Sequence, residues 1–74
     1  MSRIYVNVRC DQQRDGTMSP RELIWPDGRS WAIRKTLHMA APVEDEFEGI
    51  RYTVIIGSAE RYIYKAGHEW YVMA

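Results

Sequence analysis

The sequence predicts an all-β fold, a small barrel of five to six antiparallel strands. Short stretches of alternating apolar and polar residues recur along the chain, and turn residues separate them at close spacing. No segment sustains the three-and-four spacing of an amphipathic helix. The 74 residues allow one domain, 1–74, and nine aromatic residues supply a core, which excludes a disordered tail.

The predicted strands follow from alternation and from the turn residues between them. Residues 3–9 alternate apolar and polar side chains and predict the first strand. Residues 10–20 are polar and end in Ser19-Pro20, which predicts a loop. The remaining predicted strands cover 21–25, 29–39, 50–56, 61–65 and 70–73.

The turn after the second strand fixes its pairing with the third. Pro26 has no backbone N–H to donate. A two-residue turn on Asp27-Gly28 would place Pro26 in a hydrogen-bonded pair of the hairpin, where its N–H would be missing. A three-residue loop over Pro26-Asp27-Gly28 avoids this problem and places Trp25 opposite Arg29. One face of this hairpin then enters the core, with Leu23, Trp25, Trp31 and Ile33.

Loop length also decides which face of the last three strands is buried. Links of even length after Ile56 and after Lys65 place Val54 opposite Ile63. The predicted inward residues are Tyr52, Val54, Ile56, Ile63, Trp70 and Val72. The predicted outward residues are Tyr62, Tyr64 and Tyr71, with Ile55 and Met73. A slip of one residue would exchange the two faces.

The connection at 40–49 is acidic. Pro42 can open a single short helical turn near 42–48 that Gly49 closes. The acidic run lacks the alternate oxygen ligands, central glycine and distal glutamate of an EF-hand calcium loop. We therefore expect a solvated loop in which Phe47 packs back onto the barrel.

The residues that could support catalysis are few and scattered. Cys10, His38 and His68 are the only thiol and imidazoles, and nothing in the sequence brings them together. One cysteine and two distant histidines do not provide the ligand spacing of a zinc site, and there is no glycine-rich phosphate loop. We expect no enzyme activity, no cofactor, no metal and no small-molecule substrate.

The charge is balanced overall but unevenly distributed. Ten basic and ten acidic side chains cancel, yet residues 36–50 carry four acids and no base, so the rest of the chain carries +4. A basic groove with stacking aromatics is typical of small barrels that bind single-stranded nucleic acid. The neutral total argues against a dedicated phosphate binder, so nucleic-acid binding is the alternative hypothesis.

The favoured hypothesis is a protein-interaction or self-association module. Tyrosine and aliphatic residues on an outer sheet face are typical of a protein–protein contact. The predicted surface comprises Tyr62, Tyr64, Tyr71, Ile55, Arg61 and Lys65. Residues 10–20 or 40–49 could instead fold over these tyrosines. A lone Cys10, a charged N-terminus and no long apolar run predict a cytoplasmic protein without a membrane span.

Two thirds of the chain carry a familiar pattern. The residues are Pro20-x-x-Leu23-Ile24-Trp25-x-Asp27-Gly28-Arg29-x-Trp31-x-Ile33, then Arg51-Tyr52-Thr53-Val54 and Trp70-Tyr71-Val72. This order resembles small bacterial SH3-like β-barrel proteins, many from Firmicutes. Related small domains are encoded alone or beside Y-family DNA polymerases. The resemblance implies an SH3-like barrel without a known activity, and an accessory role in DNA repair at most.

Overall fold

Six antiparallel strands follow one another along the chain and close into a barrel in a computed structural model that describes residues 2–74. They are β1 (Arg3–Gln12), β2 (Met18–Ile24), β3 (Ser30–Ala40), β4 (Ile50–Ile56), β5 (Ala59–Ala66) and β6 (Glu69–Met73). Each strand pairs with its neighbours in sequence, and β6 pairs with β1. The predicted small all-β barrel is confirmed. Residues 2–74 hold no helix that could span a membrane.

The segment 10–20, predicted to be a loop, is mostly strand. β1 continues to Gln12 and β2 begins at Met18, so only 13–17 form the turn. The Gln13 N–H donates to the Thr17 carbonyl over 2.7 Å and closes this turn. Most side chains here are exposed, so backbone pairing forms the strands without apolar alternation. Alternation therefore could not reveal them.

The hairpin between β2 and β3 has the predicted three-residue loop. The Trp25 N–H donates to the Arg29 carbonyl over 2.7 Å, and the Gly28 N–H donates to the Trp25 carbonyl over 2.9 Å. Leu23 then pairs with Trp31. This register, derived from the missing donor of Pro26, is confirmed.

The last two hairpins have two-residue links, 57–58 and 67–68, in place of the predicted connections 57–60 and 66–69; the links are of even length, as predicted. Their first residues are Gly57 and Gly67, with φ of 64° and 62°, the glycine position of a type II′ turn. Tyr52 pairs with Ile63, and Val54 pairs with Arg61. The partner of Val54 is thus two residues from the expected one, which leaves every side chain on its predicted face.

The core forms from the inward side chains of all six strands. Its buried members are Val6, Leu23, Ile33, Tyr52, Val54, Ile63 and Trp70. Ile56 and Val72 pack against them, so the six residues predicted to point inward from the last three strands all do so. Trp31 was also predicted to be core, but it is 37% exposed. It is the second residue of β3, just after the hairpin loop, where the strand begins at the rim of the barrel.

The helical turn predicted near 42–48 does not form. Residues 43–49, hereafter the covering segment, form a chain of bends. The Glu44 N–H donates to the Glu46 carboxylate over 2.6 Å, and Asp45 adopts a φ of 58°. A side-chain turn of this kind competes with helical backbone pairing, which explains the error.

Candidate functional site

The three tyrosines predicted to form an exposed surface differ in exposure. All three lie on the outer face, as the alternation of side chains along each strand requires, but only Tyr62 is exposed, at 53%. Tyr64 is only 8% exposed and Tyr71 only 1%. The prediction of a solvent-facing surface is therefore wrong for two of its three aromatic members. The alternative, that 40–49 folds over the tyrosines, accounts for both.

The buried tyrosines belong to a row of side chains that crosses four strands. Arg51 pairs with Tyr64, Tyr64 with Tyr71, and Tyr71 with Tyr5. The rings of Tyr64 and Tyr71 stack with centroids 4.9 Å apart and planes within 7°. Tyr5 packs against Tyr71 with centroids 6.0 Å apart. Such aromatic neighbours contribute about 0.5–1.5 kcal/mol per pair beyond the area they bury.

The covering segment fits onto this row through an aromatic ring and through its backbone. Phe47 packs on Tyr64 with ring centroids 5.3 Å apart, which is the predicted packing of Phe47 on the barrel. The Tyr71 hydroxyl donates to the Glu48 carbonyl over 2.8 Å and accepts from the Glu48 N–H over 3.2 Å. Arg3 pairs with the Glu48 carboxylate over 2.6 Å. Its guanidinium carbon lies 4.4 Å from the centre of the Tyr71 ring.

Two further residues hold the last part of the covering segment. The Arg51 guanidinium carbon lies 5.1 Å from the Phe47 ring centre and 4.6 Å from that of Tyr62, so this cation sits between two rings. At the last residue of the segment, a methyl group added to Gly49 would overlap the Lys65 carbonyl group. Residues 47–49 are thus built into the barrel, and they cover the outer face of Tyr64 and Tyr71.

Arg61 and Lys65 do not lie on the tyrosine face. Arg61 pairs with the inward residue Val54, and Lys65 pairs with the inward residue Trp70, so both side chains point to the inner side at the two ends of β5. Lys65 donates to the Gly67 carbonyl over 2.8 Å. Alternation already places these two residues with Ile63, so grouping them with the tyrosines was wrong. Ile55, by contrast, is half-buried on the outer face, as predicted.

A cleft of about 930 Å³ opens at the end of the barrel where β2 ends and β3 begins. We call it the end cleft. Its lining is mainly apolar, and includes Leu23, Trp25, Trp31, Ile56, Val72 and Met73. The rings of Trp25 and Trp31 meet edge to face, with centroids 5.8 Å apart and planes at 89°. Tyr62 lines the same cleft and joins it to the outer face.

Charged groups surround the end cleft. Arg61 lines the cleft and has no carboxylate partner among residues 2–74. Its neighbour in the sequence, Glu60, also lines the cleft. The Arg29 guanidinium carbon lies 5.5 Å from the centre of the Trp31 ring, and the group is held by Asp27 over 2.7 Å. Arg34 donates to the carbonyl of Gly57, a lining residue, over 2.9 Å. The cleft thus combines an apolar, aromatic lining with an excess of arginine.

Sequence reasoning did not identify this cleft. Trp25 and Trp31 were both assigned to the core. Trp25 is half-buried and packs against the core, as predicted, whereas Trp31 is 37% exposed. Apolar alternation cannot distinguish a buried strand position from one at the barrel rim. The signal that the sequence offered was the position of both tryptophans, which lie within three residues of a tight loop.

The thiol and imidazoles remain on separate elements. Cys10 lies in β1, His38 in β3 and His68 in the link between β5 and β6. Burial raises the pKa of the Cys10 thiol, which reduces the nucleophilic thiolate at neutral pH. Within residues 2–74, no three histidine, cysteine or acidic side chains come together as metal ligands.

Comparisons with protein-family models, with curated proteins and with solved structures find no match for this chain. The resemblance to bacterial SH3-like barrels therefore remains a prediction. The end cleft and the charges around it are the features of the structure that bear on function.

Proposed function

We propose that this protein is a non-enzymatic, cytoplasmic interaction module that binds a protein partner in the end cleft. The observation that carries the proposal is the accessible apolar lining of that cleft, with Trp31 37% and Met73 40% exposed at its edge. Exposed apolar patches of this kind mark interaction sites, and tryptophan and tyrosine supply much of the energy of protein interfaces. Aromatic-lined grooves on small barrels also suit extended peptide segments.

The end cleft replaces the tyrosine face as the proposed surface. Tyr64 and Tyr71 are covered by the chain itself, so a partner would first have to break the hydrogen bonds of Tyr71 and the contacts of Phe47. Tyr62 is the one tyrosine of the predicted surface that stays accessible, and it lines the end cleft. The class of function is thus the one expected from the sequence, and its site is the end cleft in place of the tyrosine face.

Binding of single-stranded nucleic acid is the second candidate. The Arg29 group above Trp31 and the unpaired Arg61 provide the stacking surface and cations that such binding uses. Two carboxylates weaken this alternative, because Asp27 neutralises Arg29 and Glu60 lines the cleft beside Arg61. A phosphate backbone would approach both acids, whereas a peptide with mixed chemistry has no such conflict.

The test is selection from a displayed library of random peptides against the wild type and the Trp31→Ala variant. We expect peptides that bind the wild type and lose at least about tenfold in affinity with the variant, as befits a central aromatic residue. Met39→Ala is the matched control, because Met39 is 52% exposed on the same strand and does not line the cleft. Thermal unfolding verifies that all three proteins are folded.

Two results would contradict the proposal. Peptides that bind the wild type and Trp31→Ala equally would place the binding surface elsewhere. Oligonucleotides that bind at the cleft, with affinity that falls steeply as salt rises, would replace the protein partner by nucleic acid.

A further inference from the structure

We infer that the end cleft accepts a second copy of this chain, and that the segment at 41–46 of one copy docks in the cleft of the other. The inference rests on the proposed function and names its partner. It is supported by an apolar residue exposed on that segment, by the charges that follow it and by the charges around the cleft.

Val43 supplies the apolar group. It is 87% exposed, more than any other large apolar residue among residues 2–74. It follows Pro42, whose ring fixes its own φ at about −65°, and it is the first residue of the covering segment. A side chain presented in this way can enter an apolar cleft at little conformational cost, because the chain around it is already shaped.

The charges of the two regions are complementary. Glu44 and Asp45 follow Val43 directly, are exposed, and pair with no cation in residues 2–74. At the cleft, Arg34 and Arg61 likewise have no carboxylate partner. Glu60 also lines the cleft without a cation partner, so the unpaired charge there is about +1, from Arg34 and Arg61 against Glu60, opposite in sign to that of the segment. Complementary charges of this kind orient partners and raise the rate of association.

The segment of a chain does not occupy that chain's own cleft. Val43 is 87% exposed and is not among the residues that line the cleft. The Phe47 ring on Tyr64 and the hydrogen bonds between Glu48 and Tyr71 hold the segment on the outer face of the sheet. Val43 and the two acids after it are therefore left for contact with another copy.

Sedimentation equilibrium of the full chain tests the inference. We expect the average mass to rise above the 8.7 kDa monomer between about 10 µM and about 1 mM, the range of weak contacts of small area. Raising the salt from about 0.05 M to about 0.5 M should weaken association on the order of tenfold, since these charges are exposed and screened. Val43→Ser and Trp31→Ala should each remove association, and the control Met39→Ala should keep it.

A charge experiment tests the pairing itself. One variant changes the segment, Glu44→Lys with Asp45→Asn; asparagine tolerates the positive φ at this position. The other changes the cleft, Arg34→Glu with Arg61→Glu. We expect each variant alone to be monomeric, and the equimolar mixture to associate, because the mixture restores one unaltered segment and one unaltered cleft.

Three outcomes would overturn the inference: a monomeric wild type over the whole concentration range, association that survives Val43→Ser or Trp31→Ala, or a mixture that stays monomeric while the wild type associates. If the wild type is monomeric but the library still yields cleft-binding peptides, this inference fails and the proposed function stands. If both fail, the proposed function fails with it. Thermal unfolding of every variant verifies that lost association does not reflect lost structure.

Discussion

Replacing Tyr71 with phenylalanine removes the hydroxyl that joins the covering segment to the barrel. That hydroxyl donates to the Glu48 carbonyl over 2.8 Å and accepts from the Glu48 N–H over 3.2 Å. The aromatic ring and its stacking on Tyr64 remain in Tyr71→Phe, so the variant isolates the two hydrogen bonds. Both Glu48 backbone groups lose their partner and are left partly buried.

The expected loss is about 1–2 kcal/mol of unfolding free energy. Leaving one buried polar group without a partner costs about 1–3 kcal/mol, and partial access of water at Glu48 favours the lower part of that range. A chain of this size holds only ~3–5 kcal/mol, so the loss is a large fraction of its stability. It corresponds to a decrease in Tm of roughly 4–16 °C, at 4–8 °C per kcal/mol.

Urea unfolding followed by circular dichroism measures this loss, and amide exchange at Glu48 locates it. Tyr62→Phe is the matched control, because its hydroxyl makes no hydrogen bond within residues 2–74 and its ring is exposed. We expect the control to lie within about 0.5 kcal/mol of the wild type. Equal stability of Tyr71→Phe and Tyr62→Phe would refute the view that these two bonds hold the covering segment.

Three further predictions concern other positions. Gly49→Ala should destabilise the protein by more than about 3 kcal/mol, since the added methyl group overlaps backbone atoms and φ is 86°. The control is Gly16→Ala, which has a similar φ but open space around the methyl group, and it should cost clearly less. Equal losses of unfolding free energy in urea would contradict the overlap at Gly49. Hydrogen bonds from the Arg29 N–H and guanidinium lower the pKa of the Asp27 carboxyl in the folded protein. The ionised Asp27 therefore contributes its full stabilisation above the pKa of the unfolded chain, about 3.9, and this stabilisation is lost as pH falls through the lower pKa of the folded protein. Asp27→Asn should therefore lose less stability than the wild type between neutral and acid pH, and parallel urea curves for the two proteins would contradict this. Burial raises the pKa of the Cys10 thiol, so iodoacetamide should alkylate Cys10 more slowly in the native protein at pH 8 than in the unfolded chain. Equal alkylation rates in the two states would show that the native thiol is as accessible to solvent as the unfolded one.

The sequence was sufficient for the fold because its turns carry the necessary physical constraints. Pro26 cannot donate a ladder hydrogen bond, and this alone selects the three-residue loop that sets Leu23 opposite Trp31. Links of an even number of residues after β4 and β5 fix which side chains of β4, β5 and β6 face inward, and the two-residue links that begin with Gly57 and Gly67 are of even length. These are local rules, so a single sequence is enough to apply them.

The candidate site was less accessible to sequence reasoning. Tyr62 was correctly identified as exposed, but alternation gives only the face of the sheet and not what covers it. Trp31 was assigned to the core because it shares a face with Leu23, and its place at the rim depends on where the barrel ends. Arg61 and Lys65 were grouped with the tyrosines by charge, against the alternation that also placed Ile63 inward.

By itself, the sequence determined that the chain is a small all-β barrel and which side chains of its last three strands point to the core, because both depend on neighbours a few residues apart. Only the tertiary structure decided that residues 43–49 return across β5 and β6 to bury Tyr64 and Tyr71. The same is true of the end cleft beneath Trp31. Both depend on contacts between different strands and the connections between them, such as that of Tyr71 with Glu48, 23 positions away, and local patterns do not reveal such contacts.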